Sequence, residues 1–220
     1  FAAVGAWIVA WLNTADVPGG LYVWIPLGGI AAGVVGVLIG LPALRLRGVN
    51  LAVVTLSFAF AIDVILFKVQ FPGTVTGQSV PRPELVATDR AYFLFAVIVL
   101  VAVALAVWLL QRSRVGSGWR SVAFSERGTA SAGSSVRLAK LSAFAVSATI
   151  AGIAGGLIAG QVGNLYPTGF TTLQSLALYV LSVVTGSYFV AMGVVGGILW
   201  VLIPELLKRW GIPQDWAFVI

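Results

Sequence analysis

Apolar positions along this chain gather into long, nearly uncharged blocks at about 1–12, 24–41, 49–71, 91–111, 138–162 and 173–207. Polar or Pro/Gly-rich breaks separate them, at Asn13 to Gly20, Pro42 to Gly48, Pro72 to Arg90, Gln111 to Arg137, and Gly163 to Thr172. A run of roughly 18 or more apolar residues is long enough to cross a bilayer as a helix. The blocks do not alternate apolar with polar residues, so they do not read as barrel strands. In lipid, the remaining way to satisfy the backbone is the α-helix. The pattern predicts an all-α, polytopic transmembrane helical bundle.

Composition agrees. Hydrophobic residues make up 60% of the 220 positions and charged residues 9%, against about 25% charged in a soluble domain. The mean hydropathy is +1.03. No Cys or His is present, which removes thiol chemistry and the usual ligands of zinc, haem and iron–sulfur clusters. No cofactor and no metal are expected. The chain begins at Phe1 and ends at Ile220, each inside an apolar run. It therefore reads as a single transmembrane domain over 1–220, truncated at both ends.

The net charge of +6 does not point to nucleic acid, because of where the charges fall. Arg45 and Arg47 occupy the break after the second block. Arg112, Arg114, Arg120, Arg127, Arg137 and Lys140 surround the break after the fourth, and Lys208 and Arg209 follow the last. One orientation places these ten of the 13 basic residues on the cytoplasmic side, as the positive-inside rule requires. Loops 42–48 and 112–137 then face the cytoplasm. The block 173–207 is too long for one helix, and two full crossings would put Lys208 and Arg209 outside. Thr185, Gly186 and Ser187 interrupt it. We read 173–187 as a broken or re-entrant segment and 190–207 as the crossing. The other reading is one long, tilted, kinked helix.

Glycines recur at four-residue spacing: Gly29/Gly33, Gly36/Gly40, Gly152/Gly156/Gly160 and Gly193/Gly197. Such spacing puts each set on one helix face, where a neighbouring helix can approach closely. A faint internal repeat relates GVVGVLIGLPALRLRG (33–48) to GVVGGILWVLIPELLKRWG (193–211).

Asp63 is the acidic residue inside the third apolar block, 49–71. It either lines a pathway or is a locally paired carboxylate near the outer headgroups. Thr55, Ser147 and Thr185 are weakly polar groups on other stretches of the spans. In the loop 112–137, Trp119, Val122, Glu126, Ala130 and Gly133 recur at three- and four-residue steps, which puts them on one face of a short amphipathic helix. Gly116 and Gly118 precede it, and Gly133 can end it. Such a helix either lies on anionic lipid or docks a soluble partner.

These features, in this order, resemble the permease subunits of ATP-binding-cassette importers for branched-chain amino acids, of the LivM type in the LivH/LivM family. The matching segments are GLPALRLRGVNLAVVTLSFA (40–59), TVTG (74–77), GWRSVAFSERGTASAGSSVRLAKLSAFAVSATIAGIAGGLIA (118–159) and GVVGGILWVLIPELL (193–207). The resemblance implies that 112–137 is the coupling loop, with Glu126 and Arg127 at its acidic-basic start, Ala130 at its centre and Gly133 as its glycine. It implies a second permease subunit (homologue or self), two cytoplasmic ATPases, an extracytoplasmic solute-binding protein and a site in the inner membrane. It also implies a permease that is not itself an enzyme. No phosphate-loop motif is present in the sequence, so ATP would be hydrolysed on those partner chains. The sequence departs from the family at Gly128, Thr129 and Ser131, where helix formers are usual, and at Phe60, where an acidic residue is usual. TGSYF (185–189) is a reduced form of the family's Gly-Gly-x-Gly-Ser element. A urea or short-amide permease of the same superfamily and an ion-coupled secondary transporter are the alternatives.

Overall fold

A computed structural model describes residues 1–43, 49–68, 78–83, 86–165, 169–186 and 190–209. Its helices are α1 (Ala2–Thr14), α2 (Gly20–Ala43), α3 (Val49–Lys68), α4 (Asp89–Arg112), α5 (Arg114–Phe124), α6 (Glu126–Ser131), α7 (Val136–Val162), α8 (Thr172–Thr185) and α9 (Val190–Arg209). A two-residue bridge, β1 (Gln78–Ser79) with β2 (Asn164–Leu165), is antiparallel. The loop arginines Arg45 and Arg47, the TVTG segment at 74–77 and most of TGSYF lie outside the described residues. The chain divides into two compact units, Phe1–Phe170 and Thr171–Ile220.

Three helices among the described residues are long and apolar enough to cross a membrane: Gly20–Pro42, Asp89–Arg112 and Val136–Val162. At about 1.5 Å per residue, the 27 residues of α7 extend roughly 40 Å, well beyond a hydrocarbon core of about 30 Å. Shorter apolar helices occupy Ala2–Thr14, Val53–Ile65 and Thr172–Thr185. The all-α bundle read from the sequence is the fold.

In the first unit, α1, α2 and α7 pack against one another. Down α2, Gly29 faces Ile153, Gly33 faces Thr149, Gly36 faces Ala148, and Gly40 faces Leu141 and Phe144. Ascending numbers on α2 meet descending numbers on α7, so the two helices are antiparallel. Across the seam, Gly152 sits against Ala32 and the backbone of Gly28 and Gly29. Helix α1 closes the trio. Gly5 abuts the Gly152 backbone, Gly155 abuts the Ala2 carbonyl, and Gly156 lies against Val9 and Ile25. Lipid tails are as apolar as the side chains, so burial gives little drive for helices to associate. Close van der Waals packing supplies it, and only residues without bulk permit that approach.

The apolar core sits at one end of this trio, around Ala6, Val9, Leu21, Trp24, Ile25, Val80, Tyr92, Ala159 and Leu165. At that end α1 turns into α2 through Asp16 (φ 50°) and Gly19 (φ 115°). Both residues are in the left-handed region, which Gly and Asp adopt more readily than most. The indole of Trp24 donates to the Val17 carbonyl (3.1 Å) across the turn.

In the second unit the long apolar block is broken, as the sequence suggested. Helix α8 starts in a capping box between Thr171 and Gln174 and stops at Gly186, φ 86°. Helix α9 follows from Val190. One kinked helix through 173–207 does not form. Helix α9 packs on α8 where Gly196 faces Thr185. Among the described residues, Gly193 and Gly197 differ from their counterparts in α2, because no atom lies within 4 Å of where a Cβ would stand.

The seam gives a direct contrast. Gly152→Ala forces a methyl against backbone, which cannot swing aside, and should destabilise the protein by about 1–3 kcal/mol. Gly197→Ala adds its methyl in open space and should be neutral or gain up to about 1 kcal/mol from helix propensity. Thermal unfolding of the two variants in detergent checks this, and equal midpoints would refute the seam.

Candidate coupling loop and pathway groups

The segment between α4 and α7 is two helices set by three serines. Ser113 caps α5, its Oγ accepting from the Val115 N–H (3.2 Å) and donating to the Leu110 carbonyl (2.6 Å). Ser125 caps α6 by accepting from Gly128 N–H (3.1 Å). Ser135 caps α7 by accepting from Leu138 N–H (3.4 Å). Ser, with a short acceptor side chain, is favoured at this position because the first helical N–H groups lack partners. The single amphipathic helix expected here is thus divided. Ser125 takes extended backbone (φ −159°, ψ 114°), ends α5 and starts α6. Gly116 and Gly118 do not precede the helix but lie within α5. Gly116 is buried with its Cα against the Gln111 backbone, and Gly118 faces Ala139. Gly133, at φ 77°, closes the loop after α6.

The loop is fixed to α7 twice. Trp119 Nε1 donates to Ser142 Oγ (2.9 Å). Lys140 Nζ donates to Glu126 Oε1 (2.6 Å) in a half-buried ion pair. It is fixed to α4 as well, since Arg120 donates to the Gln111 carbonyl (2.6 Å). Trp119, Val122 and Glu126 are therefore half-buried, while Arg127, Ala130 and Gly133 are exposed. Phe124, which sequence reasoning passed over, is 95% exposed. It lies off the helical stripe chosen from the sequence, and so was not chosen.

At the far end of α7 a second fastening was not legible in the sequence. Arg82 donates to the Gly160 carbonyl (2.9 Å) and the Gln161 carbonyl (2.8 Å). These are among the last carbonyls of α7, which have no partner within the helix and carry the negative end of its dipole. The same guanidinium lies over the Tyr92 ring, 4.7 Å from its centroid, and Tyr92 Oη donates to the Leu157 carbonyl (2.6 Å). The Val80 N–H bonds to the Gly163 carbonyl (2.9 Å) beside the β1–β2 bridge. Arg82 also pairs with Asp89 (2.6 Å), whose side chain is 95% exposed. An ion pair that open contributes little, so the carbonyl bonds matter more.

The pathway candidates are spread over several helices. Thr55 and Asp63 both lie on α3, about 12 Å apart along its axis. Ser147, on α7, donates to the Phe144 carbonyl (3.0 Å). Thr185, in the second unit, donates to the Leu181 carbonyl (3.0 Å). These last two hydroxyls are spent on their own helices. Among the described residues no cluster of His, Cys, Asp or Glu could hold a metal ion.

Apolar helices of membrane length, with a basic loop held between two of them, define a multi-pass membrane protein. The chain belongs to the family described as branched-chain amino acid transport system / permease component, which matches residues 1–220. It is 32% identical over 94% of its length to the high-affinity branched-chain amino acid transport system permease protein LivM of Escherichia coli K12. The LivM protein of Salmonella typhimurium matches equally, at 32% identity over 94% of the chain. The chain spans 56% of the length of each of these relatives. No solved structure matches it.

The fastening at the end of α7 has a measurable weight. Arg82→Ala leaves two helix-end carbonyls without their charged donor, and should cost about 1–3 kcal/mol. Asp89→Asn should change stability by less than about 0.5 kcal/mol. Thermal unfolding in detergent would contradict this assignment if the two substitutions cost the same.

Proposed function

We propose that this chain is the membrane-spanning permease domain of an ATP-binding-cassette importer that carries branched-chain or other small neutral amino acids across the inner membrane. In this reading 112–137 faces the cytoplasm and receives the motion of two ATPase subunits. A second permease subunit completes the pathway, and an extracytoplasmic binding protein delivers the solute. Family membership and the two LivM relatives support the substrate class.

The carrying observation is the double attachment of the α5–α6 loop to α7. A loop that transmits force must move its helix with it. Bonds from both of its helices, Trp119 to Ser142 and Glu126 to Lys140, meet that need. They also change the role of Glu126. Its carboxylate serves to hold the loop on α7, and the exposed Arg127 and Ala130 are left to meet the partner. On α3, Thr55 and Asp63 are polar groups of a largely apolar helix, which suits a zwitterion that is passed on rather than tightly held.

Reconstituted importer should take up leucine, isoleucine or valine only with ATP and the ATPase subunits. Uptake by the permease alone under an ion gradient would overturn the reading. Glu126→Lys places two cations together and should lower coupled uptake by roughly fivefold to tenfold, which corresponds to about 1–1.4 kcal/mol. Adding Lys140→Glu restores an ion pair and should recover most of the loss. If the double variant is no better than the single one, the pair does not position the loop.

A further inference from the structure

We propose that Phe124 is the apolar anchor by which the α5–α6 loop seats in an acid-rimmed pocket of the soluble ATPase subunit. This rests on the reading of 112–137 as a coupling loop. Phe124 ends α5 and is the most exposed of the large hydrophobic side chains among the described residues, at 95%. The next residue, Ser125, is extended and turns the chain into α6, so the ring projects from a corner.

The two faces of α5 differ in what they touch. Trp119 bonds to Ser142, and Gly118 faces Ala139, so this side is turned to α7. At about 100° per residue, Phe124 lies roughly 140° from Trp119 and roughly 160° from Val122. It shares its face with Ser117, Arg120 and Ser121, all exposed. That face points away from the helix that enters the bundle.

Its chemistry favours a protein pocket over lipid. A helix that lies in a bilayer interface presents a continuous apolar stripe. Here one aromatic ring stands among serines and arginines. Arg120 shares its face, Arg114, Arg127 and Arg137 are exposed elsewhere on the same stretch of chain, and the carboxylate of Glu126 is held by Lys140. The surface is therefore an aromatic knob in a positive field, which complements an apolar pocket with carboxylates at its rim. Aromatic anchors that fill a desolvated pocket ringed by polar contacts dominate binding at such interfaces.

The chain has no cysteine, so Phe124→Cys introduces a single thiol for a polarity-sensitive fluorophore. The full permease is placed in phosphatidylethanolamine–phosphatidylglycerol nanodiscs, with and without its cognate ATPase subunits. The label should report water in the permease alone, resist quenching by spin-labelled lipid, and shift to an apolar environment when the ATPase subunits bind. Phe124→Ala should weaken that association about thirtyfold, the factor equivalent to about 2 kcal/mol, with thermal unfolding of the permease unchanged. Phe124→Leu should keep most of the affinity. Quenching by lipid before the ATPase subunits are added would overturn the proposal in favour of a bilayer anchor. A label that stays in water after the complex forms would overturn it while leaving the coupling loop intact. If the unaltered permease binds no ATPase subunit, the coupling reading itself falls.

Discussion

The first unit depends on two backbones coming close enough to touch across the α2–α7 seam. Nothing in the surrounding lipid drives these helices together, so their association rests on dispersion over a short distance. Gly29, Gly33, Gly36 and Gly40 on one side, and Gly152, Gly156 and Gly160 on the other, make that distance possible. Helix α1 enters the same close contact through Gly5. These glycines give up helix propensity, about 1 kcal/mol each relative to Ala, and regain it through contact along the full length of α7. The arrangement is stiff because the glycines lie hard against backbone and against side chains such as Ala32, Ala148 and Thr149, and close packing leaves little room to rearrange.

Stiffness at the seam gives meaning to what is fastened at the two ends of α7. Near its start, Ser142 and Lys140 hold α5 and α6. At its finish, Gly160 and Gln161 hold Arg82, and Leu157 holds Tyr92. The loop leading into α4 is thereby tied to one end of α7, and the loop leading out of α4 is tied to the other. One continuous helix thus joins the α5–α6 loop to Arg82, and on the proposed reading of 112–137 it would serve as a strut between them. Tyr92 and Arg82 are well placed to keep its far end from fraying.

Much of this was legible in the sequence, and the parts that were not share a cause. The helices could be read because lipid leaves the backbone few choices and long apolar blocks announce them. The break in 173–207 could be read because Thr185, Gly186 and Ser187 interrupt the block. The glycine spacing on α2 and α7 was visible, though not which sets face each other: Gly193 and Gly197 carry the same spacing and meet nothing within 4 Å among the described residues. Arg82 was hidden because its role depends on where α7 ends in space, a contact across 78 positions in sequence. The division of the 112–137 loop at Ser125 was hidden for a local reason. Helical periodicity counts side-chain positions and ignores a serine that can cap a new helix as readily as continue an old one. The candidate pathway residues were the least legible, since a hydroxyl such as that of Ser147 satisfies itself on its own helix and leaves no pattern.

The division at Ser125 also separates two demands that a single helix could not meet together. A loop that docks a partner, as proposed for 112–137, has to be firmly joined to its own subunit and still offer an unused face to another. On one continuous helix the stripe Trp119, Val122, Glu126, Ala130 would turn to α7 as a unit, and Ala130 would be covered with the rest. With the break, α5 presents Trp119 inward, and α6 restarts with Glu126 on Lys140. Ala130 and Arg127 are left exposed. Gly128, Thr129 and Ser131, which lower helix propensity, fit this arrangement. Thr129 is buried and donates to the Ser125 carbonyl (2.8 Å), and Ser131 donates to the Gly128 carbonyl (2.9 Å). These residues weaken a long helix while holding a short one in shape, and that is the form in which the loop can be both anchored and available.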